Sequence, residues 1–264
     1  MANNTINESL ADEDRKYRAP ALEKGLDILE LLARNGAPMT TSQMAVTLGR
    51  SVSELFRMVL ALEFRGYIES SPDGRDGYML TNKLFTLGIA QGSARSLLET
   101  SLPVMKDLAR ELGQSCHLIV PSGDQIVVVG RIESPMDLGF SVRVGYRRLL
   151  VEANSGLLLY GFAPAETQLR WLPQLRASSD AETIERFLQK SKVAAERGYV
   201  QSASDFVEGV TDICVPILGL NGATAILNVP FITIKSQSIT YEQVIERLKV
   251  SARKIADALS NEGR

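Results

Sequence analysis

The chain has 264 residues, of which 45% are hydrophobic and 23% charged, and a formal net charge of −2. Those proportions describe a globular chain long enough for two domains, and they exclude wholesale disorder or a fibrous repeat. One histidine and two cysteines exclude a multi-histidine metal centre and a disulfide framework, and they fit a reducing, cytoplasmic compartment.

Residues 1–20 are polar with mixed charge and read as a flexible N-terminal arm without the apolar core of a secretory signal. Leu22, Leu26, Ile28, Leu29 and Leu32 then recur at helical spacing, predicting a helix over 21–34 that Asn35-Gly36 stops. A second helix opens after Thr40 or Thr41, turns Met44, Ala45 and Leu48 inward and ends at Gly49. A third spans about 51–65, with Val52, Leu55, Met58, Val59 and Leu62 as its apolar face. Residues 67–70 and 78–80 read as two short strands around the turn Ser71-Pro72-Asp73-Gly74. A linker helix is expected over 82–100, then a helix capped by Ser101 with Pro103 in its first turn.

From Ser115 the pattern changes to strands, at 116–120, 125–129 and 138–144, followed by a buried helix at 153–162. An amphipathic helix at 181–197 precedes strands at 199–202, 210–217 and 223–229. A last helix opens at Thr240, with Gln243 as capping-box partner. Strands flanked by helices without a βαβ rhythm predict an α+β second domain. No apolar run approaches the ~18–20 residues of a membrane helix.

The informative constellation is helix, glycine, helix, hairpin between 41 and 80. Met44, Ala45, Leu48, Gly49, Val52, Leu55 and Met58 hold the spacing of a helix-turn-helix, where Ala45 lets the second helix cross closely and Gly49 takes the left-handed turn. This puts Ser51, Ser53, Glu54 and Arg57 on the outer face of the second helix, where hydroxyls and N–H groups suit phosphate and an arginine suits phosphate or a guanine edge. The expected DNA-contacting set is Thr41, Ser42, Arg50, Ser51, Val52, Ser53 and Arg57, with Arg75 at the tip of a wing. Glu54 reads as a helix-charge residue. Local charges are near balance, so affinity for DNA should be modest, steeply salt-dependent and helped by dimerisation.

Ala21-Leu22-Glu23-Lys24-Gly25-Leu26-Asp27-Ile28-Leu29 is similar to the first helix of the IclR family of bacterial transcriptional regulators, and Leu84-Phe85-Thr86-Leu87-Gly88 to the entry of that family's linker. Val144-Gly145, Asn154-Ser155-Gly156, Arg197-Gly198-Tyr199 and Val207-Glu208-Gly209-Val210 resemble its later markers. On these segments the chain resembles the family over nearly its whole length. The resemblance implies a winged helix-turn-helix over 21–81, a linker helix over 82–100 and a GAF-like effector domain over 101–264. It also implies dimers, often paired into tetramers, on palindromic promoter sites, with small organic acids or aromatic compounds as effectors. The effector positions carried over are Phe140, on a strand before Gly145, Asn154 and Ser155 at the start of the buried helix, Asp212 and Cys214 on one strand, and Asn228 on the next.

Asn154, Asp212 and Asn228 are more polar than the family pattern leads one to expect. Buried, they need partners, supplied either by a ligand with hydroxyls or amides or internally by Arg143 or a backbone N–H. An acid here disfavours an anionic effector unless Arg143, Arg147 or Arg148 turns inward. Cys116-His117 reads as a core cysteine beside a partly exposed histidine, because strand neighbours face opposite ways. Arg147-Arg148 reads as a solvated pair and Trp171 as packing. No catalytic set, metal cluster or cofactor loop is recognisable. The rival readings are an enzyme acting through residues 115–260 and a ligand-free partner-assembly domain fused to a helix-turn-helix.

Overall fold

The computed structural model describes residues 19–71, 76–89, 92–204, 207–234 and 239–262. The chain divides into two compact units, Met1–Gln91 and Gly92–Arg264. Residues 1–18 of the expected arm, and Arg75 at the expected wing tip, lie outside the described residues.

In the first unit, α1 (Pro20–Asn35) packs against α2 (Thr41–Leu48) and α3 (Val52–Phe64). Thr40 caps α2 and Ser51 caps α3, each through a reciprocal capping box with the residue three positions on, Gln43 and Glu54. Between them Gly49 adopts φ 63°, which an L side chain resists, and the Arg50 N–H reaches back to the Ala45 carbonyl at 2.9 Å. The core of the unit is Ile28, Leu29, Leu32, Met44, Leu55 and Val59. Leu22, expected in the α1 stripe, is 63% exposed, and Leu26 and Val52 are exposed as well. The buried stripe of α1 is Gly25, Ile28, Leu29, Leu31 and Leu32, and Leu22 and Leu26 lie outside it. The hairpin β1 (Ile68–Ser70) and β2 (Tyr78–Leu80) pairs antiparallel with Ile68 opposite Leu80, and Met39 bridges Tyr78. α4 (Lys83–Ile89) follows.

The second unit begins with α5 (Gly92–Leu112). The cap expected at Ser101 is not formed: Ser101 is buried inside this helix and Pro103 lies in its interior. Burial of Met105, Leu108 and Leu112 on the sheet holds the helix through the proline. The sheet contains β3 (Cys116–Ser122), β4 (Gln125–Ile132), β5 (Arg147–Leu149), β6 (Val200–Ala203), β7 (Val210–Gly219) and β8 (Gly222–Ile232). It is antiparallel throughout, in the order β5-β4-β3-β8-β7-β6. Alternation divides it cleanly. Cys116, Leu118, Ile213, Val215, Leu227 and Val229 face α5 and α9 (Tyr241–Glu262). Ile119, Cys214 and Ile226 face α6 (Asn154–Gly161), α7 (Ala165–Ser178) and α8 (Ala181–Arg197).

The second unit departs from the sequence pattern at two further places. Residues 138–144 are not a strand; the chain joins β4 only at Gly145 and Tyr146, which exchange backbone hydrogen bonds with Val128, and β5 starts at Arg147. Phe140 and Val142 instead turn over the sheet, while Leu138 and Val144 are exposed. The other place is α7, a helix that the sequence pattern does not announce. Pro173 in its interior masks it, but Leu175, Trp171 and Leu172 pack it into the core.

Candidate functional site

The outer face of α3 is organised by Glu54. Its carboxylate accepts from the Ser51 N–H at 3.0 Å, the Ser51 hydroxyl at 2.9 Å and the Lys24 ammonium at 3.0 Å. The Ser51 N–H bond first, then the Lys24 contact, hold the Glu54 carboxyl down at about 2, so it is charged at any physiological pH. Arg50 pairs with Asp27 of α1 at 3.0 Å. Ser51 Oγ and Ser53 Oγ lie 3.2 Å apart. Ser51 and Glu54 therefore commit their polar groups to holding the start of the helix. Among the described residues, Arg57 is exposed with no ion pair, and Ser42, Val52 and Ser53 are exposed beside it, with Thr41 half-buried. Of the two expected DNA-contacting cations among the described residues, Arg57 is thus open and Arg50 tethered.

The second site is a cavity of about 50 Å³ between the sheet and the first turn of α6. All six residues expected at an effector site line it: Phe140, Asn154, Ser155, Asp212, Cys214 and Asn228. Strand register explains the floor. His117 of β3 lies opposite Asn228 of β8, which lies opposite Cys214 of β7, so the three form one row on one face. Asp212 and Pro230 form the next row. The walls come from Phe140, Val142 and Tyr146, from Arg148 and Glu152, and from the start of α6.

The polar groups have specific partners. Asn154 donates from Nδ2 to Asp212 Oδ2 at 3.2 Å and to the Ala203 carbonyl at 3.4 Å. Asn154 is thus an internal partner of Asp212, while Arg143 is exposed. Cys214 Sγ donates to Asn228 Oδ1 at 3.2 Å. Burial, then the neighbouring Asp212 charge, push the Cys214 thiol well above its ordinary range, so it stays protonated. Arg148 turns to the cavity and pairs with Glu152 at 3.4 Å, while Arg147 is exposed.

His117 differs from its expected placement: it is 1% exposed and not partly solvated. Its Nε2 accepts the Val142 N–H at 3.2 Å and lies 3.0 Å from Ser141 Oγ, so the ring ties the covering loop to the floor. An accepting Nε2 places the proton of the neutral ring on Nδ1, and Nδ1 is buried without a partner. A buried donor left so costs about 1–3 kcal/mol. Burial first, and then the Arg131 charge, lower the His117 pKa to about 4, keeping the ring neutral. The alternation Cys116-His117-Leu118 carried the signal. With its neighbours in the α5/α9 core, His117 had to face the other way; only the covering helices and loop make that side interior. Cys116 donates to the Met105 carbonyl at 3.4 Å, and burial pushes its thiol up to about 12.

Comparison with known proteins follows the same division. A family model described as the IclR helix-turn-helix domain matches residues 21–72. A second, described as bacterial transcriptional regulator IclR C-terminal, matches residues 91–257. The HTH-type transcriptional regulator KdgR of Escherichia coli K12 is 25% identical over 211 residues, 78% of this chain and 80% of its own. The HTH-type transcriptional repressor AllR of the same strain is 23% identical over 249 residues, 91% of this chain and 90% of its own. Among solved structures, an IclR homologue from Microbacterium hydrocarbonoxydans complexed with 4-hydroxybenzoate gives a TM-score of 0.73 at 21% identity. It covers 91% of this chain and 99% of that one. An IclR transcriptional regulator from Alicyclobacillus acidocaldarius gives 0.72 at 23% identity, covering 92% and 100%. The two-domain α+β fold expected from the sequence, helix-turn-helix first and α/β domain second, is the fold of these structures.

Proposed function

The chain belongs to the IclR family of bacterial transcriptional regulators, and on that premise we propose how it works. It is a ligand-responsive DNA-binding regulator. In our reading the helix-turn-helix touches the operator through Thr41, Ser42, Ser53 and Arg57. Arg50, Ser51 and Val52 shape that surface, and Arg75 reaches DNA from the wing. Phe140, Asn154, Ser155, Asp212, Cys214 and Asn228 bind a small effector, and its occupancy changes operator affinity. The carrying observation is that these six residues, far apart in sequence, line one cavity.

The effector is small. An apolar cavity of about 150 Å³ is what holds a benzene ring, whereas this one is about 50 Å³. A ligand the size of the 4-hydroxybenzoate in the Microbacterium homologue would have to push back the loop carrying Phe140. The regulator works as a homodimer or a pair of dimers on palindromic sites in the cytoplasm. No helix among the described residues is long and apolar enough to cross a membrane. Against catalysis stand the protonated Cys214 thiol, bonded to Asn228 instead of a base, and the engaged His117 Nε2.

The test is a mobility shift with the DNA flanking the chain's own gene, at two salt concentrations, for wild type and Arg57→Ala. A salt-sensitive complex that the variant fails to form supports the reading. Equal binding by folded Arg57→Ala protein removes Arg57 from the interface. An effector that leaves affinity and footprint unchanged removes the coupling.

A further inference from the structure

α1 meets the start of α3 through two ion pairs of opposite polarity. Lys24 and Asp27, three positions apart and so on one face of α1, reach Glu54 and Arg50 at 3.0 Å each. The two pairs are not held alike. Glu54 also accepts from the Ser51 N–H and hydroxyl, so the Lys24 pair is built into the cap of α3. Arg50 is joined to Asp27 by one hydrogen bond from a single Nη, and among the described residues the rest of its guanidinium fork has no partner. Both side chains are within reach of water, 32% exposed for Arg50 and 41% for Asp27. An ion pair so placed is weak and shifts an equilibrium by a factor of only a few.

Arg50 stands directly before Ser51, the N-cap of the helix that a helix-turn-helix lays into the major groove. Phosphates line the edges of that groove, and contacts to them fix the register of a reader helix. A phosphate can take two parallel N–H bonds from an arginine, and its neutralisation releases condensed counterions. It therefore competes well against a carboxylate that takes one bond. We propose that Arg50 is a latent phosphate contact: Asp27 holds it in the free chain, and on the duplex Arg50 passes from the Asp27 carboxylate to a backbone phosphate. The exchange leaves Asp27 without its cation beside the DNA. Asp27 is thus an attenuator, which sets how tightly the helix-turn-helix holds a duplex without touching a base. This inference rests on the reading of the outer face of α3 as the operator surface.

Fluorescence anisotropy of the full chain over a salt series tests the exchange, with two duplexes of equal length: the DNA flanking its own gene and an unrelated sequence. A phosphate contact acts on both. Asp27→Asn should bind both about threefold more tightly than wild type. Asp27→Glu keeps the carboxylate and should bind like wild type. Arg50→Ala should bind more weakly and lower the salt slope by about 1. Most of the gain from Asp27→Asn should vanish in the Arg50→Ala background, where there is no cation to release. An equal gain in that background would mean that Asp27 acts only by repelling DNA. Weaker binding by Asp27→Asn would mean that Asp27 positions Arg50 for DNA, and an unchanged salt slope in Arg50→Ala would mean that Arg50 touches no phosphate. Each of these three results would overturn the proposal. Binding that is lost in Arg57→Ala but indifferent to Asp27→Asn would refute the exchange and leave the operator surface standing. Wild type that binds neither duplex at low salt would refute both. Should Arg50→Ala fail to fold, Arg50→Met keeps the apolar stem without the charge and takes its place.

Discussion

Gly156→Ala sets two physical effects of opposite sign against each other. Gly156 lies in the first turn of α6, next to Asn154 and Ser155. On helix propensity alone, alanine should stabilise this position by about 1 kcal/mol. A Cβ at Gly156, however, would stand 1.9 Å from the Leu150 carbonyl oxygen and 2.8 Å from the Leu150 carbonyl carbon. Those are backbone atoms of the 3₁₀ turn Leu150–Glu152, and Leu150 is fully buried. Restoring an ordinary separation needs a shift of about 1 Å or more between that turn and α6, and overpacking of this kind costs about 1–3 kcal/mol. Because no flexible side chain can yield, the upper end applies, and a net loss of about 2 kcal/mol is expected. Denaturant unfolding of wild type and variant measures it. The same shift moves Asn154 and Ser155 off the cavity, so effector binding should fall even where the protein stays folded. DNA binding without effector should persist, since the helix-turn-helix belongs to the other compact unit. An equal or higher midpoint in the variant would refute the steric argument.

Arg57→Ala should cost operator affinity about 1–3 kcal/mol per head and lower the salt slope by about 1 for each phosphate interaction it removes, read by fluorescence anisotropy over a salt series. Ser51→Ala removes the cap that accepts the Glu54 N–H and should lower stability by about 1 kcal/mol in thermal unfolding; an unchanged midpoint would mean the box contributes nothing. His117 is held near 4 in the fold against an ordinary 6.5. The unfolded chain therefore binds the extra proton first, and stability present above pH 6.5 should decline by about 3 kcal/mol as pH falls to about 4. His117→Gln should flatten that part of the urea-measured pH profile. Leu158→Ala, at a fully buried position of α6, should cost about 2–5 kcal/mol in the same unfolding assay.

Local rules were legible residue by residue. The cap at Thr40, the capping pair Thr240/Gln243, the glycine stops and the alternation of the strands are short-range physics, readable without a fold. They located the helix-turn-helix, its hairpin and most of the sheet. Where local signals misled, longer-range packing had overruled them. Ser101-Leu102-Pro103 looks like a helix start, but burial of α5 on the sheet carries the helix straight through. Pro173 looks like a breaker, yet Trp171 and Leu175 anchor α7 across it. Residues 138–144 have the composition of a strand, but Phe140 and Val142 are used to cover a cavity.

The sequence by itself determined the family, the order of the two domains and which polar residues stand out from the apolar strands. Those depend on spacing along the chain. Only the tertiary structure decided what those residues meet. Asn154 and Asp212 are 58 positions apart and share a hydrogen bond. His117 faces an interior because α6 and the 133–146 loop close over its side of the sheet, and Arg148 rather than Arg143 turns inward. Strand order and register set these encounters, and they join segments too distant for any local pattern to encode.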